Sequence, residues 1–257
     1  MPRPVTPASR QRVTVVTGAS RGIGAATALR LAADGHHLGI GYAHDAEAAE
    51  DVAGRVRAAG GEAVTVPVDV GAADAVDRLF TEVREAFGPV TGLVANAGIS
   101  GPLGRFTETD PEVMRRVVDV NVTGTLLCAR RALREMSTAY GGDGGAIVNI
   151  SSAAATLGSP GEYVHYAASK AAVDAMTVGL AKEFGPEGVR VNSVQPGSVL
   201  TGMHARMGDP DRAWKKAEIT PARRPGEPEE IADAVAWLLS DEASFTSGAV
   251  LRVAGGL

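Results

Sequence analysis

The sequence predicts an α/β fold, a doubly wound parallel sheet of about seven strands with helices on both faces, and three observations carry that expectation. Short β-branched runs alternate with longer stretches rich in Ala, Leu, Arg and Glu. The short runs are continuously apolar rather than alternating, as strands are when helices cover both sheet faces. No Pro/Ser-rich linker or internal repeat divides the 257 residues, so one domain spanning 12–257 is expected, after a disordered tail at 1–11.

Taken in order, residues 13–17 form the first strand and 22–34 an amphipathic helix that stops at Gly35. Residues 38–42 make a weaker strand, since Gly39 and Gly41 lower its propensity. A helix over 46–59 ends at Gly60-Gly61, a strand follows at 63–68, and a helix over 73–87 closes at Gly88-Pro89. The fourth strand begins at 92–95. Asp110 caps a long helix with Pro111 at its first position and Glu112 in its first turn. Strand 145–151, a long helix over 163–184, strand 189–194, helix 229–240 and a last strand at 249–253 complete the chain.

Composition excludes several functions. One cysteine, Cys128, forbids an internal disulfide framework and a Cys-based zinc site, and the five histidines lack metal-ligand spacing. No metal is therefore expected. Lys+Arg 25 against Asp+Glu 30 leaves a net charge of −5, which disfavours an electrostatic nucleic-acid partner. No apolar run is long enough for a membrane span, and the Pro/Arg-containing start lacks the apolar segment of a signal peptide. A cytoplasmic location is expected.

Three strand ends carry the chemistry. After the first comes Thr17-Gly18-Ala19-Ser20-Arg21-Gly22-Ile23-Gly24, running directly into a helix. Gly18 permits the tight exit, Gly22 lets backbone approach a ligand, and Gly24 lets helix and sheet pack closely. The helix N-terminus offers free N–H groups to a pyrophosphate. Such glycines are as often purely structural when met alone. The fourth strand ends in Asn96-Ala97-Gly98, by itself an ordinary turn signal.

After the fifth strand, Asn149-Ile150-Ser151-Ser152 precedes a helix carrying Tyr166 and Lys170 four residues apart, hence on one face. A free tyrosine has a pKa near 10, and a neighbouring ammonium stabilises the phenolate. Lowering it by about three units takes roughly 4 kcal/mol. A serine at the strand end would hydrogen-bond the same substrate oxygen. Taken singly, Tyr-x-x-x-Lys is usually a surface pair; its place after strand five favours the catalytic reading.

Together these residues resemble the short-chain dehydrogenase/reductase family, over essentially the whole chain from about Arg12. The anchors are the 17–24 turn, Asn96-Ala-Gly98, Asn121, Ser152, Tyr166-x-x-x-Lys170 and Pro196-Gly197, in the family's order and spacing. The segments 161–170 and 237–241 resemble its glucose-dehydrogenase-like and 3-oxoacyl-reductase-like branch. The resemblance implies a Rossmann-type fold, a homotetramer, and transfer of hydride between a nicotinamide cofactor and a carbonyl or alcohol substrate. It implies Tyr166 as general acid/base, Lys170 as ribose ligand, and Ser152 as the polarising serine, with Ser151 still open. Asn121 would hold a water leading protons to Lys170. Asp69 with Val70 would receive the adenine. Pro196, Gly197, Val199 and Thr201 would lie along the nicotinamide, under a substrate lid at about 199–221.

Cofactor choice turns on the end of strand two, where an NAD enzyme carries a carboxylate. Tyr42 stands there, followed by Ala43, His44 and Asp45. Arg21 in the glycine turn, with His44 as a donor, suits a 2′-phosphate, while Asp45 would repel it. NADP is favoured and NAD remains possible. In the lid, Met203, Met207 and Trp214 read as packing of a short helix, Glu162 and His165 as pocket edge or solvent-facing, and the apolar 250–257 as a buried end.

Overall fold

The structure, a computed structural model, describes residues 11–257; the tail expected at 1–11 lies, apart from Gln11, outside them. In chain order the principal elements are β1 (Arg12–Thr17), α1 (Gly22–Ala33), β2 (His36–Tyr42), α2 (Ala46–Ala58), β3 (Ala63–Pro67), α3 (Ala73–Phe87) and β4 (Gly92–Ala95). Then follow α4 (Pro111–Val118), α5 (Gly124–Met136), β5 (Gly145–Ile150), α6 (Ala154–Leu157), α7 (Val164–Phe184) and β6 (Val189–Pro196). The last are α8 (Met203–Arg206), α9 (Arg212–Ala217), α10 (Pro228–Leu239) and β7 (Val250–Val253). The sheet order is β3-β2-β1-β4-β5-β6-β7, every pairing parallel.

The core is two apolar layers, one on each face, and neighbouring strand residues go to opposite layers as the two-residue repeat requires. Val15, Leu93 and Ile147 pack with Leu79, Phe80, Leu133 and Met136 of α3 and α5. Their successors Val16, Val94 and Val148 pack with Leu31, Val52 and Ile231 of α1, α2 and α10. Each such large side chain contributes about 1.5–3 kcal/mol on burial. The weak-looking β2 has a packing reason for its glycine: a Cβ on Gly39 would stand 2.3 Å from Val83 Cγ2. Without it α3 lies close against the strand.

Boundaries differ from the sequence expectation where side chains extend a strand. β2 begins at His36, whose buried ring meets the Thr14 hydroxyl at 2.8 Å. β6 runs on to Pro196 because β7 pairs alongside it, Pro196 against Val253. The long helix capped by Asp110, whose carboxylate accepts the Glu112 N–H at 2.8 Å, is not uniform. A π turn over Asp119–Thr123 joins α4 to α5 and contains the buried Asn121. In the single chain the apolar C-terminal segment is not covered. Val250 is exposed, and the rest of 250–257 alternates between half-buried and exposed, because β7 is an edge strand. Among the described residues no helix is long and apolar enough to cross a membrane.

Candidate active site

At the carboxyl ends of β1, β4, β5 and β6 lies a cleft of about 460 Å³. The sheet order reverses between β1 and β4, the place where open α/β sheets bind ligands.

One wall is the glycine turn. Gly18 and Gly22 have φ of +62° and +55°, a region other residues enter only at a cost. Gly24 lies behind the lining: a Cβ there would stand 2.4 Å from the Gly18 carbonyl and 2.6 Å from Asn96 Nδ2. That Asn96 amide donates to the carbonyls of Thr17 (2.9 Å) and Gly18 (3.0 Å), while the Thr17 hydroxyl accepts the N–H groups of Asn96 and Ala97. The β4 loop therefore clasps the β1 loop. No side chain caps α1 and no acid occupies its first turn, so its end keeps its positive character.

Ser20, Arg21, Ile23, Ala97, Gly98, Val70 and His44 also line the cleft. Tyr42 does not; its half-buried ring packs against the α1/α2 apolar layer. Arg21 is ion-paired to Asp45, whose other carboxylate oxygen caps α2 at Ala48 (3.0 Å). Asp69 accepts the Gly71 N–H at 3.0 Å and pairs with Arg116 at 2.9 Å. Burial pushes its carboxyl up, but that N–H and the Arg116 guanidinium outweigh it and hold the group below the usual range.

The opposite wall settles the orientation of the two serines. Ser151 is buried and its hydroxyl donates to the Lys170 carbonyl at 3.0 Å. Ser152, next along the pleat, accepts the Ala154 N–H at 3.1 Å and hydrogen-bonds the Tyr166 phenol. Tyr166 is buried, and burial pushes its phenol well above the ordinary value; the Ser152 bond pulls back and the neighbouring Tyr163, edge-on at 5.2 Å, pushes further. The ammonium of Lys170 stands 5.8 Å from the Tyr166 ring centre and donates to the Ile150 carbonyl at 2.7 Å. Burial draws it down to about 8 against the partial support of Asp174. Burial is the largest influence on the phenol, and Lys170 is not among the groups that shift it.

Asn121 is fully buried beneath the cleft. Its amide accepts the Ile99 N–H (2.9 Å) and donates to the Ile99 carbonyl (2.8 Å) and the Ser169 hydroxyl (2.9 Å). Both amide hydrogens are thereby committed, while Oδ1 keeps one lone pair for a further donor. Gly98 sits between Asn121 and Lys170: a Cβ there would lie 3.3 Å from Nζ and 3.4 Å from Asn121 Oδ1.

Pro196, Gly197, Val199 and Thr201 line the far side. Thr201 Cγ2 lies 3.3 Å from where a Gly22 Cβ would be, so the lid root rests on the glycine turn. Within the lid Met207 is buried, but Trp214 is 59% exposed, against the expectation that both pack a short helix. The firm contact of α9 is Arg212, which pairs with Glu162 at 2.6 Å and donates to the Tyr163 hydroxyl at 2.9 Å. Glu162, also held by Lys216 at 2.8 Å, and the buried His165, bonded to the Ser100 carbonyl, therefore lie behind the cleft wall. Sequence reasoning missed Ile99, Arg116 and Arg206 among the lining residues, and read Met203 only as packing within the lid. Arg116 had a usable signal, being one helical turn before Val120, which also lines the cleft.

Comparison with known proteins agrees with this geometry. The family described as enoyl-(acyl carrier protein) reductase matches residues 18–257. An uncharacterized oxidoreductase of Escherichia coli K12, YgfF, is 44% identical, over 95% of this chain and 99% of that one. The cis-4-hydroxycyclohexanecarboxylate dehydrogenase of Sinomonas cyclohexanicum is also 44% identical, over 96% of each. Among solved structures, a blue fluorescent protein from a metagenomic library in complex with NADPH superposes with a TM-score of 0.87 at 33% identity, over 95% of this chain and 97% of that one. With this sheet, this cleft and these relatives, the chain belongs to the short-chain dehydrogenase/reductase family and is an oxidoreductase of the kind that acts between CH–OH and C=O.

Proposed function

We propose that the chain transfers hydride between NADP(H) and a carbonyl or secondary-alcohol substrate, with Tyr166 as general acid/base. The observation that carries this reading is the Ser152–Tyr166 hydroxyl pair standing in the same cleft as the uncapped glycine turn. The residues fit a dinucleotide: glycines at 18 and 22 in the left-handed region, and at 98 a space that any Cβ would take from Lys170 and Asn121. A nicotinamide dinucleotide bound there supplies the hydride donor or acceptor. Tyr166 gives its proton to the nascent alkoxide, or removes it from the alcohol in reverse. Ser152 hydrogen-bonds the same oxygen and fixes its position. Lys170, held by the Ile150 carbonyl, binds the ribose and brings positive charge toward the phenol. Asn121 is a positioning residue that ties Ile99 to α7 through Ser169.

NADP is favoured because no carboxylate stands at the end of β2 and Arg21 with His44 lines the adenosine end; Asp45 competes for Arg21 and narrows that preference over NAD(H). Residues 199–221 act as the substrate lid of a single domain over 12–257. A homotetramer fits the exposed apolar Val118 and Leu126 on α4/α5 and Val250 with Phe245 near the edge strand; light scattering behind a sizing column checks it. A cytoplasmic setting fits a free buried Cys128. The deciding experiment pairs wild type with Tyr166→Phe. Turnover on a panel of carbonyls should fall by about 10²–10⁴, while NADPH, bound more tightly than NADH, keeps its affinity. Unchanged turnover would overturn the assignment.

A further inference from the structure

Four Lys or Arg side chains line the cleft, and three of them are already committed. Arg21 is held by Asp45, Arg116 by Asp69 at 2.9 Å, and Lys170 by the Ile150 carbonyl at 2.7 Å. The fourth, Arg206 at the end of α8, has neither an ion pair nor a side-chain hydrogen bond among the described residues. Its nearest charged influence is a like one, Arg21, and partial burial adds to the strain on its charge.

The lid geometry sets where this free guanidinium stands. It folds back toward its own chain, with Nη1 3.3 Å from where a Cβ on Gly202 would be. Gly202 follows Thr201, which touches the space above Gly22. Arg206 therefore belongs to the lid wall that meets the glycine turn, on the same cleft as Arg21. Arg21 and Arg206 line one cleft with a single carboxylate, Asp45 on Arg21, to neutralise them, so the pair leaves an excess of one positive charge there, and an anion arriving between them is stabilised by both.

We propose that Arg206 is a ligand of the cofactor's diphosphate, contributed by the lid across the cleft from the glycine turn. The inference rests on the dinucleotide reading above and goes beyond it, since it makes closure of the lid root and binding of a nucleoside diphosphate one event. An Arg206 that holds the diphosphate serves NADPH and NADH alike, whereas Arg21 distinguishes them.

Calorimetric titration of wild type, Arg206→Gln and Arg206→Lys with NADPH, NADH and ADP separates the possibilities. ADP carries the diphosphate without nicotinamide or 2′-phosphate. Loss of a charge-assisted hydrogen bond on a part-exposed site predicts about a tenfold weakening by Arg206→Gln for all three ligands, with a shallower dependence on salt. Arg206→Lys, keeping the charge, should recover part of it. Equal affinities in wild type and Arg206→Gln would overturn the inference while leaving the dinucleotide reading intact. A loss confined to NADPH would also overturn it, moving Arg206 to the 2′-phosphate. Wild type binding none of the three would overturn the reading itself. A thermal melt of each variant confirms that affinities are compared between folded proteins.

Discussion

Lys170 is a residue that the fold would be more stable without. The residue is 3% exposed, and burial draws its pKa from the ordinary 10.5 to about 8. That difference, at 1.36 kcal/mol per pH unit, makes the charged side chain cost the folded state about 3 kcal/mol at pH 7. Lys170→Met keeps the unbranched shape and removes the charge. It also removes the hydrogen bond to the Ile150 carbonyl, worth about 1 kcal/mol. Asp174, the nearest carboxylate, keeps its bonds from Ser193 (3.1 Å) and Gln195 (2.7 Å), so the substitution orphans no second group. The net expectation is a gain of about 2 kcal/mol, or about 4–8 °C in Tm for a chain of this size. The gain has a pH signature. Below about 8 the lysine is charged in folded and unfolded chains alike and the full penalty applies. Between about 8 and 10.5 the unfolded chain holds a proton that the folded chain has lost, so wild type becomes more stable and the advantage of Lys170→Met shrinks. Thermal unfolding of both proteins without dinucleotide, from pH 7 to 9.5, measures this directly. A variant that melts at or below wild type at pH 7, or whose advantage does not shrink with pH, would refute the reasoning. Its turnover should be lost in either case, a stability cost kept for function.

Ser152→Ala should lower turnover by about 10²-fold with little change in Tm, whereas Ser151→Ala should cost about 1 kcal/mol of stability by removing a buried hydrogen bond; steady-state kinetics beside melts tell them apart. Gly24→Ala drives a methyl into the Asn96 clasp and should destabilise by about 2–4 kcal/mol, read by urea unfolding. Asp45→Asn keeps the α2 cap but frees Arg21, and NADPH should bind about fivefold more tightly while NADH changes little.

The parts of this site legible in the sequence are those whose signal is local. The glycine turn advertises itself because its backbone needs Gly18 and Gly22 at fixed offsets from a strand end. Tyr166 and Lys170 are readable from one helical turn of spacing. Ser151 and Ser152 both line the cleft, and their partners alone tell them apart: Ser151 donates to the Lys170 carbonyl, while Ser152 acts on the Tyr166 phenol. Commitments made through space stayed hidden: Asp45 holding Arg21, Arg116 holding Asp69, and Asn121 spending both amide hydrogens on Ile99 and Ser169. Tyr42 shows the converse. Its position beside the cofactor end was readable, but which way the ring turns depended on the apolar layer beneath it.

The π turn at Asp119–Thr123 makes this chain unforgiving of a change in length. One additional residue wound into a helix advances everything beyond it by about 100°. Cys128, Leu133 and Met136 meet the sheet, and Leu126 meets the outside, only with that residue counted in. Losing one residue here would let the segment relax into an uninterrupted α-helix, rotating the core face of α5 by about 100° and out of register with the sheet. A surface loop absorbs such a deletion by tightening. This helix can absorb it only by a compensating insertion within the next turn or two, so any relative whose chain is a residue shorter here must restore the count before Cys128.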